Sequence, residues 1–327
     1  MIFRITWNPV RLVALLLLAL IASACDAGNN ETPAAVPTLT LPQLQPVPLA
    51  GRKLRVVATT SIVGDVVGQV GGDAIALTTL IGPGQDPHSY EPAPGALAAG
   101  ASADVIFVHG WNLEEGLLDN LTGVAADTPL VPVAAQITPL TRQEDAGAAD
   151  PHTWLDPHLA LQWVENIERA LAALDPGNAT IYARNAAAYR AELQTLLTYV
   201  QEQIARIPPA QRKLVTSHDA LAYFARAYNF DVVGTVIPGA STLAEPSAST
   251  LAQLAETMDR AGVCTIFTET TANEEVARAL AAELEHCDTV ETVPLFTGTL
   301  SAPGGGAASY TAMMRANVDA IVRALSE

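Results

Sequence analysis

The sequence predicts an α/β protein of two lobes, each a mostly parallel sheet flanked by helices, joined by one long rigid backbone helix. Short β-branched runs alternate with helix-like stretches along most of the 327 residues, which is the signature of βαβ units around a parallel sheet. The alternation comes in two blocks, and the roughly 270 residues beyond Leu54 exceed what one hydrophobic core usually serves. Between the blocks, residues 178–207, "NATIYARNAAAYRAELQTLLTYVQEQIARI", contain no proline or glycine and are dominated by strong helix formers.

The chain opens on "MIFRITWNPVRLVALLLLALIASAC". Arg4 and Arg11, an apolar run from Leu12 to Ile21 and small residues before Cys25 form a secretory signal over residues 1–24. The run is too short, and wrongly flanked, for a transmembrane helix. "ASAC" is similar to a bacterial lipobox, with Ala22 where leucine is usual, so Cys25 is expected to carry lipid and begin the mature chain. Residues 25–53 are rich in proline and small polar residues without a helical or strand period, which reads as an extended tether.

The first lobe spans 54–177. "LRVVATT" is a strand, "SIVGDVVGQVGG" a helix closing on glycines, and "IALTTLIG", "PGALAAGASADVIFVHG" and "TPLVPVA" continue the alternation. The linking helix, 178–207, is bracketed by "DPGN" and "IPP". At 1.5 Å per residue it reaches about 45 Å, the height of both lobes. The second lobe, 208–327, repeats the pattern in "KLVTSHDALAYFARAYNFDVVGTV", "PSASTLAQLAETMDRAGVCTIFTE" and "NEEVARALAAELEHCDTVETVPLF".

A formal charge of −17 excludes nucleic acid as a natural partner and makes a cation a plausible one. A hydrophobic content of 50% excludes disorder. Once Cys25 is assigned to lipid, Cys264 and Cys287 remain, and in an exported chain they are expected to form a disulfide. Zinc ligation by this pair is disfavoured because neither cysteine sits in a CxxC.

The chain has six histidines, and two of them lie in nearly the same phrase, "DPHSYEP" around His88 and "DPHTWLDPH" around His152. His88 lies in a loop at a strand's carboxyl end, where open α/β sheets bind ligands. His152 lies in a comparable loop, and His218 directly follows the strand "KLVTS". Imidazoles so placed suit zinc, copper, iron or nickel better than magnesium or calcium. Asp86, Glu91, Asp150, Asp156 and Asp219 are near enough in sequence to accept the other ring N–H. His109, before Gly110 and Trp111, reads as a structural turn residue, His158 as a helix-start residue and His286 as a residue of a helix's last turn.

The order "VVATTSI", "DPHSYEPAPG", "ADVIFVHGWNLE", "DPHTWLDP", "TSHDALAYFARAY", "IFTET", "LFTGTLS", "SYTAMMRANVDAI" resembles the zinc and manganese solute-binding lipoproteins of bacterial ABC importers, over residues 54 to about 325. The resemblance implies two α/β lobes on one backbone helix, a metal in the cleft, an ABC permease as partner, a membrane reached through the N-terminal lipid, and a monomer. His88, His152 and His218 match the family's first three metal positions. The third is glutamate in many manganese members and histidine in many zinc members, so His218 favours Zn2+ over Mn2+ as the transported ion. Many relatives have aspartate where this chain has Gly298. A ligand from elsewhere, water or an open position then completes the set, with Glu269 in "IFTETT" as the best substitute, although a helix cap or an outer carboxylate describes Glu269 about as well.

The expected function is capture of a divalent transition metal, zinc first and manganese or iron as the alternative, for delivery to the permease. Three histidines and a water would also suit an exported zinc hydrolase. No HExxH or comparable helix motif supports that rival, and the chain is expected not to be an enzyme.

Overall fold

The computed structural model describes residues 36–142, 147–239, 241–271, 275–284 and 286–326. The expected signal, 1–24, and the lipid-bearing Cys25 lie outside the described residues.

In the first lobe β1 (Leu54–Ala58) leads into α1 (Ser61–Gly71), then β2 (Ile75–Thr79), α2 (Pro94–Ser102), β3 (Val105–Val108), α3 (Glu115–Val124) and β4 (Leu130–Pro132). The strands pair in parallel in the order β2-β1-β3-β4. Every residue of β3 is buried, as expected of a strand covered on both faces. The hydroxyl of Thr60 caps α1 by accepting from Val63 N. A small antiparallel pair, β5 (Thr141–Arg142) and β6 (Ala148–Ala149), follows. The alternation pattern holds no signal for it, because two-residue strands are shorter than any period.

Two helices then run together, α4 (Pro157–Leu174) and α5 (Ala179–Ile204). Asp156 caps α4, with Pro157 at its first position. The buried positions of α5 are Tyr182, Ala186, Tyr189, Leu193, Leu196, Leu197, Val200 and Ile204. They recur every three or four residues, which is one face of a helix. Its 26 residues reach about 39 Å, somewhat less than the expected span, because the chain tightens into turns at Ala205–Ile207 before the two prolines.

The second lobe comprises β7 (Lys213–Thr216), α6 (Ala222–Tyr228), β8 (Asp231–Thr235), α7 (Ala248–Ala261), β9 (Thr265–Glu269), α8 (Glu275–Glu283), β10 (Glu291–Leu295) and α9 (Tyr310–Leu325). Its strands are again parallel, in the order β10-β9-β7-β8. Helix α9 packs back along α5 and touches α1 of the first lobe. One apolar cluster therefore runs without a break from Val56 and Trp163 through Leu193 to Val293 and Met314. A smaller core belongs to each lobe alone, around Ile106 and Leu117 in the first and Ile266 and Met258 in the second.

Residues 36–53, the described part of the expected tether, have no helix or strand, yet they are packed. Leu41, Leu44, Val47 and Leu49 lie against the main core. Val47 N donates to Leu174 O and Gln136 N donates to Leu39 O, both at 2.8 Å. This part of the chain is a strap along the first lobe rather than a free linker. Its prolines keep it extended, and its leucines and valines, spaced without a period, fasten it.

Candidate metal centre

The three loops that follow β2, β6 and β7 meet at one point. The loop after β2 is shaped by Asp86, whose carboxylate accepts from His88 N at 3.0 Å and from the Ser89 hydroxyl at 2.9 Å. This local ring, framed by Pro87 and Pro92, turns the His88 imidazole inward. Asp150 does the same for the second loop: its Oδ1 accepts from His152 N and from His152 Nδ1, both at 2.9 Å. In the third loop His218 Nδ1 stands 3.0 Å from Glu269 Oε2, contributed by the end of β9.

His152 thus bonds through Nδ1 to Asp150, His218 sets Nδ1 in an ion pair with Glu269, and both turn Nε2 the other way. His152 Nε2 lies 3.3 Å from His88 Nε2 and 3.3 Å from His218 Nε2. Two imidazole nitrogens on one tetrahedral zinc would stand about 3.3–3.4 Å apart, given bonds of 2.0–2.1 Å. Lone pairs facing at this distance repel unless a proton or a cation lies between them. All three rings are buried, at 4%, 1% and 2% exposure.

Burial drives the His88 imidazole down to about 3, helped by the neighbouring His152 and His218. Burial likewise holds His152 well below the usual imidazole range. His218 is the exception: burial pulls it down, but the Glu269 carboxylate outweighs this and raises it. Glu269 answers in kind, depressed to about 2 because His218 more than offsets its own burial. Burial pushes Asp150 up to about 7, against the opposing pull of the His152 N–H and Arg142.

Glu269 does not stand with the three imidazole nitrogens, which form the group of ligand atoms here. Its Oε2 is ion-paired with the far side of His218, and neither Oε2 nor Oε1 makes an aligned hydrogen bond. A β-carbon at Gly298 would come within 2.8 Å of that Oε1 and 3.2 Å of Pro87 Cδ. The glutamate thus occupies the room that a side chain at 298 would need.

The other three histidines lie elsewhere. His109 is fully buried, bonded to Thr153 Oγ1 at 3.0 Å and Gly110 O at 3.1 Å. His158 pairs with Asp156 at 2.9 Å at the start of α4. His286 contacts Asp259 and the sulfurs of Cys264 and Cys287, which are bonded to each other.

The lobes are stitched around the site by contacts that carry no sequence signature. The Tyr223 hydroxyl accepts from Leu140 N at 2.9 Å and donates to Asp150 O at 2.8 Å. Arg142 pairs with Asp219 at 2.9 Å. On the opposite side Trp154 Nε1 donates to Thr297 O and the Tyr310 hydroxyl donates to Trp154 O, both at 2.7 Å. Asp219, near enough in sequence to serve His218, is thus engaged by Arg142, and the distant Glu269 takes that place. A 320 Å³ cavity lined by His88, Trp111, Asn112, Glu115, Gly239 and Ser241 leads from the surface to His88. One wall is the turn Gly110-Trp111-Asn112, with φ of 114°, 47° and 60°.

The family described as the periplasmic component A of a zinc-uptake complex matches residues 56–324. The manganese-binding lipoprotein MntA of Halalkalibacterium halodurans is 33% identical over 316 residues, covering 96% of this chain and 97% of the relative. The iron-binding protein YfeA of Yersinia pestis is 30% identical over 311 residues, covering 94% and 93%. Among solved structures, the periplasmic zinc-binding protein TroA of Treponema pallidum superposes with a TM-score of 0.78 at 30% identity, covering 84% of this chain and all of that one.

Proposed function

The chain belongs to the family of periplasmic component A proteins of zinc-uptake complexes, and from that premise we propose that its cargo is zinc, bound by His88, His152 and His218 and handed to an ABC permease. The observation that carries this is the set of three buried imidazoles with Nε2 atoms 3.3 Å apart in two of their pairs. A nitrogen-only set favours zinc over manganese, which prefers carboxylate, carbonyl and water oxygen. Glu269 holds His218 in orientation through Nδ1, and water is the fourth donor on the cavity side. The names of relatives that bind manganese and iron favour those ions as the second reading.

Lipid at Cys25 tethers the protein to the outer face of the cell membrane, as in relatives named lipoproteins, and it works there as a monomer. Without the ion, the Glu269 carboxylate favours a proton on His218. The ion displaces that proton and finds the other two imidazoles already neutral. Because both sides of the cleft are fastened by hydrogen bonds across the lobes, loading proceeds through the mouth above His88 rather than by a wide hinge opening. Thr242 Oγ1, bonded to Asp86 Oδ2 at 2.5 Å, ties the loop at that mouth to the His88 loop.

The test is the metal content of protein isolated from its native compartment, followed by competition of zinc, manganese and ferrous iron for the emptied chain. Zinc in the isolated protein, not displaced by a hundredfold excess of manganese, supports the reading. Native protein filled with manganese or iron would replace it with the second one.

A further inference from the structure

A second group of metal-binding side chains lies away from the cleft, where α7, β9 and the turn before β10 converge. Cys264 directly precedes β9, His286 and Cys287 occupy the turn after α8, and Asp259 closes α7. His286 Nε2 stands 3.5 Å from Cys264 Sγ and 3.5 Å from Cys287 Sγ. Asp259 Oδ1 accepts from His286 Nδ1, which fixes the tautomer and leaves the Nε2 lone pair on the side of the sulfurs. Both cysteines are half-buried and His286 is exposed, so a small reductant reaches them.

We propose that reduction of the Cys264–Cys287 disulfide turns this group into a second site, taking a thiophilic divalent cation such as zinc, cobalt or cadmium on two thiolates and one imidazole. In a tetrahedral zinc site with bonds of 2.3 Å to sulfur and 2.0–2.1 Å to nitrogen, each nitrogen–sulfur edge is about 3.6 Å. His286 already holds that distance to both sulfurs. The sulfurs, bonded in this structure, need only part to about 3.8 Å, the sulfur–sulfur edge of the same tetrahedron. Cys287 Sγ also lies 3.6 Å from Nδ1, so the ring turns slightly to bring Nε2 to the front. His286 is exposed and both cysteines are half-buried, so solvent supplies a water as fourth donor.

The chemistry balances with an external dithiol as reductant. Two electrons and two protons pass to the cystine; its sulfur–sulfur bond breaks and two S–H bonds form, while the dithiol closes to its own disulfide. The incoming dication then replaces both thiol protons, which go to solvent, and the two thiolates neutralise its charge. While the disulfide is intact the sulfurs carry no charge and the site is closed. The bond thus acts as a switch between a structural staple and a soft-metal site. The spacing in sequence hides this, since neither cysteine lies in a CxxC and the imidazole and carboxylate come from two further segments. The inference is independent of which ion the cleft carries.

Cobalt(II) titration of the full chain tests it, comparing oxidised protein with protein reduced by dithiothreitol and freed of it under anaerobic conditions. Cobalt bound by thiolate gives an intense near-ultraviolet charge-transfer band that imidazole-bound cobalt in the cleft lacks. The expected result is one additional cobalt per reduced chain together with that band. Cys264→Ser with Cys287→Ser should abolish the band, and His286→Ala should weaken the extra site at least tenfold while cleft binding continues. Equal stoichiometry in the two redox states would overturn the proposal, as would a band that survives the double serine variant or a His286→Ala protein that binds as tightly. Loss of cleft cobalt on reduction would mean that the chain unfolds without its staple, and that outcome also overturns it.

Discussion

Gly298 and Glu269 compete for one space: a β-carbon at 298 would stand 2.8 Å from Glu269 Oε1. The same carboxylate reaches His218 Nδ1 through its other oxygen at 3.0 Å. Gly298→Ala should therefore push Glu269 off His218, and Glu269→Gln should weaken the same contact. Each is expected to lower zinc affinity about tenfold, or about 1.4 kcal/mol, within the range for losing a partner that orients a metal ligand. Because both act through one carboxylate, the double variant should cost little more than either single one. Fully additive losses, measured by competition against a zinc chelator on folded proteins, would separate the two residues.

Below the pKa of His218, loading should release one proton from the imidazoles. The pKa of His218 is raised, so its proton persists to higher pH and must be displaced by the ion. His88, lowered to about 3, and His152, held well below the usual range, are already neutral. Below the pKa of His218, zinc affinity should fall by up to about tenfold per pH unit, the slope of a single competing proton. Calorimetry in two buffers of different ionisation enthalpy counts the protons directly. A count of two or three, beyond any proton given up by Asp150, which burial lifts to about 7, would mean that burial does not keep His88 and His152 neutral.

Most of the architecture is legible in the sequence because a parallel strand buried on both faces and a helix with one apolar stripe have different periods. The α5 stripe from Tyr182 to Ile204 and the β3 run Val105–Val108 are examples. The convergence of His88 and His218 is legible because each follows a strand of a parallel sheet, and such sheets gather these loops at one end; His152 follows the antiparallel β6 and is legible through its repeated DPH phrase. The outer partners are only half legible. Asp150 lies two residues from His152, within the reach of local reasoning, whereas Glu269 comes to His218 only through the pairing of β7 with β9. The strap is illegible for a different reason: extended chain with leucines at irregular spacing reads the same whether it is packed or free.

That strap gives a third prediction. Gly110 combines a φ of 114° with a β-carbon position only 2.4 Å from Leu39 Cδ1. Gly110→Ala should destabilise the protein by about 1–3 kcal/mol through backbone strain and displacement of the strap. It should also speed proteolysis within residues 36–53. Unchanged urea midpoint and cleavage rate would show that the strap lies free of the lobe in solution.

The stitching of the lobes predicts a cost for Tyr223→Phe. Its hydroxyl serves Leu140 N and Asp150 O, one as acceptor and one as donor. Removing it strands both groups, so urea unfolding should show a loss of about 1–3 kcal/mol. Zinc affinity should fall by less than in Glu269→Gln, because Asp150 keeps its bonds to His152. A larger effect on zinc than on stability would mean that Tyr223 acts on the ligand rather than on the lobes.

X-ray absorption of the zinc-loaded, disulfide-intact chain measures the proposed centre most directly, because imidazole rings give a multiple-scattering pattern that can be counted. The account predicts three imidazoles and one lighter donor at about 2.0–2.1 Å, falling to two imidazoles in His218→Ala. A first shell with fewer than three imidazoles, or an oxygen-rich shell of six donors, would contradict it.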